Sequence, residues 1–376
     1  MTRPVAESPD LEFMDRALKI AHGGWGRVSP NPLVGAVIVR GGVIVGEGFH
    51  AEYGGEHAEV MAIRQAGAAA AGSTLYVTLE PCNHHGKTPP CTSSIREAGI
   101  ERVVYGASDP NRVAAGGARE LELAGLKVVG GVRSEEAARL NGPFIWDRLG
   151  RGPWVSLKLG LSLDGRIAAL PGERTDITGP EAALFVHRLR AGHDAIMVGG
   201  RTAVIDDPLL TVRHDPSPRV PPVRIVLDPR LEIDPAGRLA TSIELAPLLI
   251  LCRVDCEDDR RRALEARGAM VAEVRADGSR LDLDSVLHEL HARGIRSVLA
   301  EGGGTLAAAL VGAGHARRKY LIYAPVILGS QGVPAFAEGT RTEPDDWRVV
   351  HHDRLGRDVL LELEDLQARE ALREAA

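Results

Sequence analysis

His57, Glu59, Cys82 and Cys91 are the residues whose types and spacing could do chemistry first. One imidazole and two thiolates make three zinc ligands, and a tetrahedral catalytic zinc keeps its fourth position for water. Thiolates suit zinc better than magnesium or calcium. A water so held ionises near neutral pH and can attack a carbon of an amidine-like ring. Glu59 is not a ligand in this reading. It shuttles protons between that water and a leaving amine. Residues i and i+2 do not share a helix face. His57 and Glu59 still converge if their target lies beyond a helix N-terminus, where first-turn side chains surround the axis. Gly54-Gly55 precedes His57, and Cys91 precedes a second helical stretch. Two helix N-termini facing one metal favour thiolate over thiol. The expectation is one zinc per chain. A second candidate is Glu301-Gly302-Gly303-Gly304-Thr305, after a β-rich run and before a helical one. By pattern it is either a phosphate cradle or a tight structural turn. It is not the dinucleotide fingerprint of the Rossmann fold. Cys252 and Cys256 lack a histidine at ligand spacing and read as structural.

The elements that must position these residues follow from periodicity. Leu11, Met14, Leu18 and Ala21 sit at helical spacing, and Gly23-Gly24 ends that helix. Val34–Val39 and Val43–Phe49 read as a hairpin turned at Gly41-Gly42. His57–Gln65 is helical, Thr74–Leu79 a strand, and Thr92–Ala98 a short helix. Arg102–Tyr105 and Lys127–Val129 read as further strands around a helix at Ala118–Ala124. A hairpin followed by alternating helices and strands predicts a three-layer α/β domain. Gly142-Pro143 and Arg148–Pro153 look like a boundary, placing domains at 1–147 and 148–376. Beyond it, strands from Trp154–Leu159 to Tyr320–Tyr323 alternate with helices such as Pro180–Ala191, predicting a second α/β domain. Asp365–Ala376 reads as a solvated helical tail.

Composition narrows the function class. A chain of 376 residues is long for one domain, and 44% apolar with 26% charged is ordinary for a folded protein. The net charge of −6 disfavours a basic nucleic-acid-binding face. Only five of the 45 basic residues are lysines, a bias read as genome composition. Apolar runs such as Ala246–Cys252 are too short to span a bilayer. Met1–Asp10 has no apolar signal core, and four cysteines are too few for a secreted disulfide scaffold. The expectation is a cytoplasmic protein with neither a nucleic-acid nor a membrane partner.

The joint pattern His-x-Glu…Pro-Cys…Cys is that of zinc deaminases, with eight residues, Asn83–Pro90, between the cysteines instead of two. That longer segment, Glu80-Pro-Cys-Asn-His-His-Gly-Lys-Thr-Pro-Pro-Cys91, resembles the deaminase half of the bifunctional riboflavin-biosynthesis family, RibD. So do Asn31-Pro32-Leu33-Val34-Gly35, Gly48-Phe49-His50 and Asp109-Pro110-Asn111. Ser156–Leu159, Ser162–Arg166, Ile177-Thr178-Gly179 and Asp206–Arg213 are similar to its reductase half. The resemblance runs from about Leu11 to Leu363. It implies a cytidine-deaminase-like domain followed by a dihydrofolate-reductase-like domain using NADPH. The substrates it implies are pyrimidines carrying a ribosyl phosphate, deaminated first and then reduced from ribosyl to ribityl. It implies Asn31, His50, His84 and Lys87 at the deaminase substrate. It implies Thr202, Asp206, Gly303, Gly304 and Thr305 at NADPH. Arg190, Leu210, Arg213 and Glu301 would line the reductase substrate site, with Arg190 and Arg213 clamping the 5′-phosphate. A homo-oligomer is expected. The chain departs from the family at Arg112, in a loop one residue shorter. It departs again at Asp176, where a tryptophan is frequent, and in the basic run Arg317-Arg318-Lys319. The rival reading is a tRNA or nucleoside base deaminase with an accessory nucleotide-binding domain.

Overall fold

The computed structural model describes residues 8–84, 89–111, 113–336, 340–343 and 345–376. The chain divides into two compact units, Met1–Arg151 with Arg369–Ala376, and Gly152–Ala368. The first contains α1 (Ser8–Ala21), β1 (Gly35–Arg40), β2 (Val43–Phe49), α2 (Ala58–Ala66) and β3 (Thr74–Leu79). It continues with α3 (Cys91–Glu97), β4 (Arg102–Ala107), α4 (Gly117–Leu123), β5 (Lys127–Val129), α5 (Ser134–Leu140) and α6 (Gly142–Arg148). Its sheet order is β2-β1-β3-β4-β5, antiparallel through β1 and parallel from β3 to β5.

Alternation along β1 shows why this unit has three layers. Ala36 and Ile38 join a core with Ala58 and Ala62 of α2 and Ile95 of α3. Val37 and Val39 point the other way, to Met14 and Ala17 of α1. A strand buried on both faces needs helices on both. Gly48 of β2 lets α2 lie close, since a Cβ there would collide with the Ala58 carbonyl. Gly142-Pro143 marks no boundary. Pro143 sits in the first turn of α6, where its missing N–H costs nothing. The Asn141 side chain exchanges two hydrogen bonds with the Leu33 backbone, at 2.7 and 2.9 Å.

The second unit begins with β6 (Trp154–Leu161), β7 (Arg166–Ala168), α7 (Pro180–Ala191), β8 (Ala195–Gly199) and α8 (Gly200–Asp206). Then come β9 (Val223–Leu227), α9 (Arg238–Thr241), β10 (Leu248–Arg253), α10 (Asp258–Glu265) and β11 (Met270–Val274). A small ribbon, β12 (Ala276–Asp277) with β13 (Arg280–Leu281), precedes α11 (Leu283–Ala292), β14 (Ser297–Ala300) and α12 (Gly304–Gly312). The unit closes with β15 (Ala316–Tyr323), β16 (Val333–Pro334), β17 (Trp347–Leu355), β18 (Asp358–Asp365) and the start of α13 (Leu366–Ala375). Nine strands form one sheet, β11-β10-β9-β8-β14-β6-β15-β18-β17, parallel from β11 to β15. No helix among the described residues is long and apolar enough to cross a membrane.

Two expectations change here. The C-terminal segment is not solvated: Ala368, Ala371 and Leu372 form a buried i, i+3, i+4 stripe, and Ser108 N–H donates to the Ala376 carbonyl at 2.9 Å. The basic run Arg317–Lys319 lies inside β15 and meets acids of β18. Arg318 stands opposite Glu364 and pairs with it at 2.5 Å, while Arg317 reaches Asp365 at 3.1 Å. Opposite charges across an antiparallel pair stabilise it.

Gly117 controls where the segment after β3 runs. A methyl at this position would collide with the carbonyl of Pro81, the residue before Cys82. Overpacking such a contact costs about 1–3 kcal/mol. Gly117→Ala is expected to lower the urea midpoint accordingly and to weaken metal retention in the same variant. An unchanged midpoint would mean that the loop and α4 part freely.

Candidate active sites

In the first unit, three donors converge from two helix starts and one strand end. His57 is the N-cap of α2, with extended backbone. Its Nδ1 lies 3.1 Å from Cys91 Sγ and 3.5 Å from Cys82 Sγ. Cys91 is the first residue of α3, and Cys82 follows β3 by three residues. The three donor atoms lie within 4.8 Å of one another, and no other such group occurs among the described residues. Ligand atoms around a tetrahedral zinc stand about 3.6–3.8 Å apart. The set therefore fits zinc by chemistry and by spacing. The Cys91 thiol hydrogen bond and then His57 hold the Cys82 pKa well below the usual thiol value. Cys91 is pushed up, because it keeps the proton it shares with Cys82.

Glu59 lies in the first turn of α2 and is 4% exposed. Burial raises its pKa, which suits a group that must take up a proton. His50 Nδ1 lies 2.9 Å from the Glu56 carbonyl, and its Nε2 is 3.1 Å from Asn31 Nδ2. With Nδ1 as donor, Nε2 accepts from the Asn31 amide. The His50 and His57 rings are 5.7 Å apart, so Asn31 and His50 stand beside the donor cluster. His84 Nδ1 is buried with no hydrogen-bond partner among the described residues. Lys87 and Arg112 lie outside those residues. Glu80 is a positioning residue that the motif contains but its chemistry does not announce. Its carboxylate accepts N–H groups from Gly116, Ala118 and Asp109, anchoring the start of the Cys82 segment.

The second unit holds a cleft of about 960 Å³ at the C-terminal ends of β6, β8 and β14. Thr202 Oγ1 accepts the Gly303 N–H at 3.2 Å, joining two of the expected cofactor residues. Gly303 caps α12 without a side-chain hydrogen bond, so the first turn at Gly304 and Thr305 has no side-chain acceptor at its cap. An uncapped helix start bordering a cleft fits the phosphates of a dinucleotide. Asp206 lines the same cleft, where burial raises its pKa. Asp176 pairs with Arg174 at 2.9 Å, so the charge replacing a tryptophan is locally balanced.

The expected substrate-side residues Arg190, Leu210, Arg213 and Glu301 all line this cleft. Arg190 Nε and Nη2 bind Glu301 at 2.6 and 3.0 Å, and its Nη1 binds the Thr211 carbonyl at 3.1 Å. Three of its five N–H groups are engaged, so Arg190 orients Glu301 and keeps two donors, and it lines the same cleft as Arg213. Burial would raise the pKa of Glu301, but Arg190 and Lys158 outweigh it and keep the carboxylate ionised. Lys158 lines the cleft from β6, and burial lowers its pKa. Its place was legible only as one of five lysines inside a quoted motif. Leu210 has a left-handed backbone, φ +50, and is buried. Such strain in a non-glycine residue persists only where tertiary contacts over-determine it. Arg213 N–H donates to Nδ1 of buried His187 at 3.2 Å. Burial, Arg190 and Arg213 push His187 down to about 4, so it stays neutral and accepting.

Removing one partner of a buried ion pair strands the other, at about 3–5 kcal/mol. Arg190→Leu is therefore expected to lower the unfolding free energy of the second unit by that amount and to raise the Glu301 pKa. Denaturant titration checks the first effect. A loss below about 1 kcal/mol would show that Glu301 finds another partner.

The comparisons with known proteins follow the same division. Residues 7–107 match the cytidine and deoxycytidylate deaminase zinc-binding region, and residues 153–361 match the RibD C-terminal domain. The riboflavin biosynthesis protein RibD of Aquifex aeolicus is 38% identical over 355 residues, covering 94% of this chain and 97% of its own. The Escherichia coli protein of the same name is 39% identical over 372 residues, covering 94% and 99%. Among solved structures, Acinetobacter baumannii RibD superposes with a TM-score of 0.81 at 33% identity, covering 96% and 99%. The Thermotoga maritima diaminohydroxyphosphoribosylaminopyrimidine deaminase/5-amino-6-(5-phosphoribosylamino)uracil reductase gives 0.79 at 34%, covering 95% and 99%. With both units matched in order and along nearly their whole length, the chain belongs to the RibD family.

Proposed function

We propose that the chain catalyses two successive steps of riboflavin biosynthesis. The first unit removes the amine of 2,5-diamino-6-(5-phosphoribosylamino)pyrimidin-4(3H)-one by hydrolysis. The second reduces the ribosyl chain of the resulting 5-amino-6-(5-phosphoribosylamino)uracil to ribityl. The observation that carries the reading is the convergence of His57, Cys82 and Cys91 beside buried Glu59, on a chain whose second unit matches the RibD reductase domain. That second match also weighs against the tRNA or nucleoside deaminase reading. The substrates are small pyrimidine ribosyl phosphates. The cytoplasmic location and homo-oligomeric state expected from the sequence belong to the same proposal.

When bound, zinc would supply Lewis acidity and NADPH a hydride. His57, Cys82 and Cys91 would hold the metal. Glu59 takes a proton from the attacking water and returns it to the departing nitrogen, so that water and the amino compound become the carbonyl compound and ammonia. Asn31 and His50 orient the pyrimidine edge, and His84 with Lys87 meets its phosphate. In the second unit, Thr202 and the turn Gly303–Thr305 hold the cofactor phosphates, with Asp206 beside them. Glu301 faces the ribosyl chain with Leu210, and Arg190, which also orients Glu301, meets the 5′-phosphate with Arg213.

Zinc content and turnover test the two halves of the first site separately. The wild-type chain should carry about one zinc. Loss of an outer partner of a metal ligand costs about 10–100-fold in metal affinity, so Cys82→Ser, which removes a ligand, should cost more. Full zinc retention in that variant would refute the ligand assignment. Glu59→Gln keeps shape and volume but cannot carry the proton. Zinc should stay bound while deamination falls by about 10²-fold or more. Near-normal turnover of zinc-loaded protein would place the proton on another group.

A further inference from the structure

Asp164 lies in the turn between β6 and β7, exposed and outside the lining of the cleft, yet it holds one of the cleft's walls. Its Oδ1 accepts the Ser162 hydroxyl at 2.6 Å and the Leu328 N–H at 3.1 Å. Its Oδ2 accepts the Gly329 N–H at 2.8 Å. These hydrogen bonds, that of Ser162 first, hold the carboxyl down at about 2, so it is ionised at neutral pH. Backbone bonds tie the same two segments on either side. Leu163 N–H donates to the Val326 carbonyl at 2.8 Å, and Ala335 N–H to the Gly165 carbonyl at 3.0 Å.

The strap so held, residues 326–335, runs along the glycine-turn side of the cleft. Val333 and Pro334 form β16, which pairs antiparallel with β7. Gly332, Val333 and Pro334 line the cleft together with Ile167 and Ala168 of β7. The strap also packs on the turn assigned above to the cofactor phosphates. A Cβ at Gly304 would stand 2.5 Å from the Pro334 carbonyl oxygen. Gly332 is as tight on the other side, where a Cβ would stand 2.8 Å from Arg166 Cγ. With no side chain at either glycine, the strap touches both α12 and β7, so its position sets the space beside Gly303–Thr305. A ribbon of two short strands is weak by itself. The ionised acceptor at Asp164 supplies stronger hydrogen bonds than the backbone carbonyls do.

We propose that Asp164 is a positioning residue of the reductase: by holding Leu328 and Gly329 it fixes the wall 332–334 against the glycine turn, and so sets NADPH affinity from outside the cleft. A looser strap leaves the binding arrangement less populated, and the apparent affinity falls by that fraction. The inference rests on reading the cleft as an NADPH site.

The full chain is compared as wild type, Asp164→Asn and Asp164→Ala. Asparagine keeps the volume but turns an NH2 group toward a backbone N–H donor, and alanine removes both acceptors. Losing such hydrogen bonds predicts roughly three- to tenfold faster amide exchange over residues 326–335, and a similar loss of NADPH affinity in fluorescence titration. KM for NADPH should rise by that factor while kcat at saturating NADPH holds. The urea midpoint should move no more than an exposed substitution usually moves it. A lowered midpoint with NADPH affinity unchanged would overturn the proposal and leave Asp164 a purely structural residue. So would weaker NADPH binding with unchanged exchange over 326–335, which would place the effect elsewhere. A wild type that binds no NADPH overturns the cofactor reading of the cleft and this proposal with it. Equal binding by wild type and both variants overturns the proposal alone.

Discussion

Parallel strands send every loop that follows them to the same edge of their sheet. Both sites are built on that constraint. In the first unit, β3 delivers Cys82 and β4 delivers Asp109 to one edge, and α2 and α3 begin there with His57 and Cys91. The helix starts add N–H groups and positive dipole ends just where thiolates gather. In the second unit, β6, β8 and β14 are adjacent and parallel, so Lys158, Gly199–Thr202 and Glu301–Thr305 border one cleft. Two different chemistries thus use the same architectural edge. In one unit that edge gathers the cysteines and His57, and in the other it gathers the glycine turn and the start of α12.

Electrostatic matching then separates the buried arginines from the exposed ones. Arg224 is fully buried, and its carbonyl and hydroxyl acceptors come from Leu209, Leu239, Ser242 and Ala246. Arg318 lies over the Trp154 ring and between Glu362 and Glu364. Arg190 is tied to Glu301 through two nitrogens. A buried guanidinium without such acceptors would be costly, so each of these reports on folding. Arg213 and Arg238 are exposed at the cleft, where solvent hydrates them and buried acceptors are not required.

The metal-centre residues were legible because zinc chemistry restricts residue type as well as spacing. His57, Glu59, Cys82 and Cys91 could be named from sequence, and so could the helices and strands around them to within a few residues. Of the two stretches read as a boundary, Gly142-Pro143 suits both a linker and a helix start and became α6, while the division falls after Arg151, inside Arg148–Pro153. The final hairpin β17–β18 was missed, since its charged residues do not alternate cleanly with apolar ones. The C-terminal helix was read as solvated because its apolar stripe is made mostly of alanine, which periodicity weighs lightly.

Sequence alone determined which atoms could ligate a metal, which turn could cradle phosphate, and that two α/β domains follow one another. Those are properties of residue type and local spacing. Only the tertiary structure decided which cations are ion-paired. Arg190 and Arg238 are equally charged on paper, but Glu301 lies 111 residues from Arg190 and closes on it, while Asp207 holds the backbone of Arg238 and leaves its side chain at the cleft. Ion pairing depends on distances that chain separation does not encode, so the difference between a paired and an unpaired arginine appears first in the folded chain.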